Sequence, residues 1–416
     1  MASLTLILTL LLLYLHALFV DATIVRRLEA SPISLPLARR VNLTSIHNLV
    51  KHDESRVKAL RSRLQKASKN AGIFVVPNIP VTNQAITYTV NVTIGNPGHL
   101  FSLIIDTGSS NTWAGAQLFN SYKMTSTTKF TGDVVQVTYG SGSVLGVEAH
   151  DTMDLAPGLN LPNQSLGMAL VSEGFTGVDG ILGIGPTDLT VGTLIPSTTA
   201  SIPTVTDNLF TEGIIPEREV AVYFQPADGL STVNGEMTFG GINYARNTSE
   251  FTWVPITGTS IANKYWGIDQ SISYGDNVIL TSTAGIVDTG TTLIYIASDA
   301  YDAYMQLTGG TVSNTTGLLS LPVGQYANLQ SLFFNIGGTS FELTPNAQIW
   351  PRSLNADIGG TADFVYLVVS SIGTITGSGL DFINGYTFLE RFYSVYDSTN
   401  RRVGLAPTNY TNADTN

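Results

Sequence analysis

The stretch Leu103-Ile104-Ile105-Asp106-Thr107-Gly108-Ser109-Ser110 returns 182 positions later as Gly285-Ile286-Val287-Asp288-Thr289-Gly290-Thr291-Thr292. In each copy an apolar, β-branched run reads as a buried strand. It delivers an aspartate into a tight turn, where Gly108 or Gly290 lets the backbone come close. One Asp-Thr-Gly would be an ordinary turn sequence. Two copies in matched frames, each followed by a pair of hydroxyl residues, argue for a chain built from two related halves with a carboxylate at the end of a strand in each.

If the two frames face one another, Asp106 and Asp288 share a site. Like charges about 3 Å apart cannot both ionise, so one carboxyl stays protonated in acid. Ser109 and Thr291 offer hydroxyls that can bond the carboxylates. A base and an acid paired in this way can activate a water and protonate a departing amine with neither metal nor covalent intermediate. The expected chemistry is therefore that of an aspartic peptidase, with Asp106 and Asp288 as the catalytic pair. Glycosidases also use paired carboxylates, but without any need for duplicated Asp-Thr-Gly frames.

Other hydrolytic constellations find little support. The chain has no cysteine and five histidines. His16, His47 and His52 fall in segments expected to be removed, and His99 and His150 lie far apart without metal-ligand spacing. Neither a Ser-His-Asp triad nor a zinc site is expected, and no metal or cofactor is called for.

Only 12% of the 416 residues are charged and 40 are glycine, which favours strands and turns over long exposed helices. The expected fold class is all-β with few, short helices. Residues 1–22, with the apolar run Leu4 to Val20, read as a signal peptide. No second apolar span of that length follows, so no stable membrane association is expected.

Residues 23–72 carry eleven basic and three acidic side chains, a net charge of +8, whereas the chain after them carries nine basic and 27 acidic ones, a net of −18. A basic segment usually suggests nucleic acid or an anionic membrane. Here the acidic partner is in the same chain, so residues 23–72 read as a propeptide acting as a removable intramolecular inhibitor. The two lobes are then 73–250 and 251–416, with the crossing between Phe239-Gly240-Gly241-Ile242-Asn243 and Trp253-Val254-Pro255-Ile256. The expected product is a secreted, extracellular monomer.

Three further stretches carry the argument. Val135 to Gly146, with Gly and Ser at its tip, reads as a flexible hairpin. Its third glycine comes one position late for a kinase phosphate loop, and no lysine follows on the next strand. Asp179-Gly180-Ile181-Leu182-Gly183 places Gly183 77 residues after Asp106, and Phe382-Ile383-Asn384-Gly385 places Gly385 97 residues after Asp288, suggesting the same plan in both halves.

At these residues, together with Asn111-Thr112-Trp113, Val137-Thr138-Tyr139-Gly140, Phe392 to Asp397 and Arg402 to Ala406, the chain resembles the pepsin-like aspartic peptidases from about Ala71 almost to its end. The resemblance implies a bilobal pepsin-like fold of two pseudo-symmetric β lobes with a catalytic cleft between them. It implies Asp106 and Asp288 on the cleft floor beside Ser109 and Thr291, and a flap carrying Tyr139, Gly140 and Ser141 over the substrate. Trp113 is implied to hydrogen-bond Tyr139. Protein and peptide substrates with large apolar residues beside the scissile bond follow from the same likeness.

Lys69, in Lys66-Ala67-Ser68-Lys69-Asn70, matches a stretch near the end of pepsin-type propeptides whose lysine sits between the catalytic carboxylates, with cleavage between about Lys69 and Pro77. One departure is Ile383-Asn384-Gly385-Tyr386, where relatives usually have Ile-Leu-Gly-Asp; it bears on local packing and primed-side subsites, not on the two aspartates. The alternative function is a catalytically inactive pepsin-fold binding or inhibitor protein. Such proteins typically lose an aspartate or the flap tyrosine, and this chain keeps all three. Glycosylation sequons occur at Asn42, Asn91, Asn163, Asn247, Asn314 and Asn409.

Overall fold

The computed structural model describes residues 31–41, 49–66, 86–140, 142–226, 229 and 231–416. The expected signal peptide, the stretch around Lys69 and Pro77, Asn42 and Ser141 lie outside the described residues.

The chain begins with strand β1 (Ile33–Val41) and helix α1 (Leu49–Lys66). The first half then runs through β2 (Ile86–Ile94), β3 (His99–Asp106), β4 (Trp113–Ala114), β5 (Lys129–Thr138), β6 (Ser143–Ala156), β7 (Leu159–Glu173), β8 (Gly180–Gly183) and β9 (Leu194–Ile195). Helix α2 (Val205–Thr211) follows, opened by a capping box in which Thr204 and Asp207 bond each other's backbone N–H. Strands β10 (Glu219–Tyr223), β11 (Ser231–Phe239) and β12 (Thr252–Pro255) lead into the second half.

There β13 (Gly267–Tyr274), β14 (Asn277–Val287) and β15 (Ile294–Ile296) precede helix α3 (Ser298–Thr308). They are followed by β16 (Thr311–Val312), β17 (Leu319–Pro322), β18 (Leu332–Ile336), β19 (Thr339–Leu343), β20 (Phe364–Leu367), β21 (Val369–Ser371) and β22 (Phe382–Asn384). The one-turn helix α4 (Tyr386–Leu389), β23 (Phe392–Asp397) and β24 (Arg402–Pro407) close the chain.

The fold is the expected all-β, bilobal one. A 14-stranded sheet runs β12-β24-β23-β10-β11-β1-β2-β3-β8-β4-β7-β6-β5-β9, and the second half has a seven-stranded sheet, β19-β18-β13-β14-β22-β15-β21, and a small one, β16-β17-β20. The large sheet joins the lobes, because β23 and β24 near the C-terminus pair with each other and β23 pairs with β10. Asp106 ends β3 and Asp288 directly follows β14, and each of these strands pairs in parallel with a short, fully buried neighbour: β3 with β8, and β14 with β22. Strands covered on both faces read as continuous apolar runs rather than alternating ones, as Gly-Ile-Leu-Gly in β8 does.

Two features of residues 31–66 go beyond the sequence expectations. Strand β1 is inserted in the shared sheet between β11 and β2. Its Pro36 would not suit a central strand, but β2 pairs only with Ala38 to Val41, so at Pro36 the strand has β11 on one side alone. Helix α1, at 18 residues, is longer than any helix expected from composition. Leu49, Val50, Val57 and Leu60 on it join the main hydrophobic core.

Candidate active site

Asp106 and Asp288 are both buried and held by mirrored sets of donors. The Gly108 N–H donates to Asp106 Oδ1 at 2.9 Å and the Ser109 hydroxyl to Oδ2 at 2.5 Å. The Gly290 N–H donates to Asp288 Oδ1 at 3.0 Å and the Thr291 hydroxyl to Oδ2 at 2.5 Å. The intervening threonines tie the halves together: Thr107 N–H donates to Thr289 Oγ1 at 3.0 Å and Thr289 N–H to Thr107 Oγ1 at 2.9 Å. Each hydroxyl in turn donates across the interface, Thr107 to Val287 O at 3.2 Å and Thr289 to Ile105 O at 3.0 Å.

The glycines of the frames are required by the opposite carboxylate. A Cβ on Gly108 would stand 2.7 Å from Asp288 Oδ1, and one on Gly290 would stand 2.7 Å from Asp106 Oδ1. Either contact is too close for a real side chain, so glycine is what allows the two carboxylates to meet.

The β5–β6 hairpin reaches over this floor. Tyr139 is buried, its N–H donates to Gly142 O at 2.7 Å, and its hydroxyl accepts from Trp113 Nε1 at 2.9 Å. Phe175 packs edge-on against both rings, with centroids 4.9 Å from Trp113 and 5.5 Å from Tyr139. Ser141, at the hairpin tip, lies outside the described residues.

The space between the carboxylates is filled by Arg56 of α1. Its Nη2 donates to Asp106 Oδ1 at 2.5 Å and to Asp288 Oδ1 at 2.8 Å, while Nε donates to Asp288 Oδ2 at 2.8 Å and Thr291 Oγ1 at 3.1 Å. Burial alone would lower the guanidinium pKa, but the two carboxylates hold it well above its ordinary value. Burial would likewise raise Asp288; the Arg56 charge and hydrogen bonds, with those from Thr291 and Gly290, hold it below the usual carboxylate range. The helix also runs directly beneath the hairpin, since a Cβ on Gly140 would fall 1.8 Å from Arg56 Cα.

Neighbouring residues of α1 fix it in place. Asp53 is buried and accepts from the N–H groups of Thr292 and Leu293 at 3.0 and 2.8 Å, with His52 Nδ1 3.1 Å from its other oxygen. Leu60 O accepts from the Tyr265 hydroxyl at 2.8 Å, and Arg61 Nη2 donates to Ser378 Oγ and Leu380 O at 2.8 Å each, and to Thr374 Oγ1.

The sequence alone singles out none of Arg56, Asp53, His52 and Arg61. The available signal is the helical spacing of Leu49, Asp53, Arg56 and Leu60, which is hidden because two of these four buried positions are charged. Asn384 and Tyr386, the departures from the family pattern, are both buried. Of the sequons, Asn91, Asn163, Asn314 and Asn409 are exposed and Asn247 is half-buried.

Paired carboxylates supplied by two related halves, under a tyrosine-bearing hairpin, define an aspartic endopeptidase. The model of the eukaryotic aspartyl protease family matches residues 87–408, and the chain belongs to that family. It is 59% identical over 340 residues to polyporopepsin of Irpex lacteus, covering 82% of this chain and 99% of that protein. It is 29% identical over 396 residues to pepsin A of Sus scrofa, covering 90% of this chain and 95% of that one. Among solved structures, the crystal structure of the aspartic proteinase from Irpex lacteus superposes with a TM-score of 0.79 at 51% identity, covering 93% of this chain and all of the other.

Proposed function

We propose that the chain is the zymogen of a secreted, monomeric aspartic endopeptidase that works in acid, with residues 23–72 as its inhibitor. The observation that carries the reading is Arg56, which puts a charge-paired guanidinium where a substrate water would lie between Asp106 and Asp288. This is the blocking role the family resemblance gives to Lys69, transferred to a residue of α1.

Once α1 leaves, the carboxylates are close together without a cation, and one of them takes up a proton. The ionised member removes a proton from water as its oxygen attacks the peptide carbonyl carbon. The protonated member gives its proton to the carbonyl oxygen. As the C–N bond breaks, the departing nitrogen takes the proton now held by one carboxyl while a hydroxyl of the tetrahedral diol gives its proton to the other carboxylate, leaving one carboxyl protonated again. Ser109 and Thr291 steady the outer carboxylate oxygens, and Tyr139, backed by Trp113, closes over the substrate. The mature chain would begin between about Lys69 and Pro77, and the exposed sequons are compatible with passage through the secretory route. Val57 and Leu60, buried beside Arg56 on α1, favour a cleft that accepts large apolar side chains.

Secreted protein should be assayed on casein at pH 3 to 7, with and without pepstatin. The reading expects pepstatin-sensitive cleavage that peaks below about pH 5. An optimum at neutral pH with stable protein, or no cleavage by fully matured chain, would contradict it, the latter in favour of an inactive binding protein.

A further inference from the structure

Asn384 is a polar residue in a fully buried strand, and among the described residues its side chain hydrogen-bonds one partner, Gln270. Gln270 Nε2 donates to Asn384 Oδ1 at 3.1 Å and Asn384 Nδ2 donates back to Gln270 Oε1 at 2.8 Å. Both residues are at most 1% exposed, so the two bonds form without competition from bulk water, where a buried polar group left unpaired is costly.

The placement of this pair relates it to the dyad. Strand β14, which ends at Val287 directly before Asp288, lies between β13 and β22, and the amides join the two flanking strands. The β14–β22 ladder is only two residues long, Ile286 with Ile383 and Val287 with Asn384. The Asp288 N–H donates to the backbone carbonyl of Asn384 itself at 3.1 Å, and the Val287 N–H to Trp266 O, just before β13, at 3.1 Å. Any shift of Asn384 therefore moves the main chain of Asp288 directly. The register of β13 against β14 also shifts just after Gln270, the kind of irregularity that re-aims a side chain.

The other lobe provides an internal comparison. Leu182 stands opposite Ile105, the residue before Asp106, as Asn384 stands opposite Val287, the residue before Asp288. One half thus meets the requirement with an apolar side chain and the other with a reciprocal amide pair. Strand β22 is also held on its other edge by a three-residue antiparallel ladder with β15, Ile294 with Asn384 to Ile296 with Phe382; toward β14 the two-residue ladder is reinforced by two buried amides that are satisfied in one register only.

We propose that Gln270 and Asn384 are positioning residues for catalysis, a buried clamp that fixes the height of Asp288 relative to Asp106. The proposal rests on the endopeptidase reading. An inactive wild type would count against that reading, whereas the clamp is judged only on variants compared with active wild type.

The test compares matured Asn384→Leu, the Gln270→Leu/Asn384→Leu double variant and Asn384→Asp with wild type, measuring kcat, KM and Tm on a peptide substrate at the acid pH of the assay. Because misplacements of about 1 Å can cost on the order of a hundredfold, Asn384→Leu should lower kcat roughly tenfold or more while leaving KM within about twofold. The double variant removes the orphaned amide and should recover Tm without recovering kcat. Asn384→Asp should recover kcat, because a buried, protonated carboxyl offers one donor and one acceptor to Gln270. If the leucine variants do not fold, Gln270→Ala is expected to show the same kcat loss, since the truncation leaves room for a water to satisfy Asn384. Wild-type kcat in Asn384→Leu or Gln270→Ala, or recovery of both Tm and kcat in the double variant, would overturn the proposal and make the pair ordinary packing.

Discussion

Trp113 Nε1 donates to the Tyr139 hydroxyl at 2.9 Å, so the hairpin over the dyad is fastened from below by a buried indole. This one bond couples β4 to the turn between β5 and β6. In the endopeptidase proposed above, a hairpin held in this way closes over substrate and excludes water without losing its own register.

Tyr139→Ala should lower kcat by about tenfold or more, as expected for loss of a closing element, while the far-ultraviolet circular dichroism stays that of wild type. Tyr139→Phe keeps the packing on Phe175 and Trp113 and should be milder. Stopped-flow or steady-state kinetics on a short peptide would separate the two, and identical kinetics for the alanine variant and wild type would remove Tyr139 from the site.

Asp106→Asn and Asp288→Asn should each abolish turnover by about a thousandfold or more, because groups that act as one unit fail together. The double variant should be little worse than either single one. Retention of more than about a tenth of wild-type activity by a folded, matured single variant would be inconsistent with a shared dyad.

The two aspartates are legible in the sequence because both frames repeat strand, aspartate, turn and hydroxyl in order, and such local signals survive in a linear chain. The pairing of Thr107 with Thr289 is not, since contacts 182 residues apart leave no local trace. Strand β1 is masked by Pro36 and by Arg39, which is buried in the sheet and donates to Gly229 O at 2.7 Å. Helix α1 is masked in the same way, its cleft-facing side carrying His52, Asp53 and Arg56 in place of apolar residues. Asn384 stands out in the sequence as a departure from the family pattern, but its partner Gln270 lies 114 residues away, and only the fold brings them together.

Two buried acids set an upper pH limit. Burial pushes Glu148 up to about 7 despite the Ser165 hydroxyl, with Asp133 adding to the rise. Its Oε2 has no hydrogen-bond partner among the described residues. Burial and the nearby Asp397 also push Glu219 up to about 7, with Arg402 opposing. A carboxyl raised in the folded state binds more protons than in the unfolded chain, so its stability contribution is full below about pH 4.3 and is lost as pH rises toward 7. Thermal unfolding of wild type should therefore decline between pH 5 and 7.5, and Glu148→Gln should make the decline shallower. Equal slopes would show that Glu148 is not one of the groups responsible.

The central claim is that Arg56 keeps the dyad shut. Asp288 is depressed in this state, so the contact contributes stability above about pH 3.9, the ordinary aspartate value, and loses it as pH falls through the lowered folded value. Acid also neutralises carboxylates of the −18 part that attract the +8 segment. The decisive measurement is the pH midpoint of zymogen conversion, followed by gel and by peptide cleavage, for wild type, Arg56→Ala and Lys69→Ala. Arg56→Ala is predicted to convert about one pH unit or more higher than wild type, as for loss of a carboxylate's cationic partner, and Lys69→Ala to shift less. An Arg56→Ala midpoint and rate equal to wild type, or a larger shift from Lys69→Ala, would contradict the account.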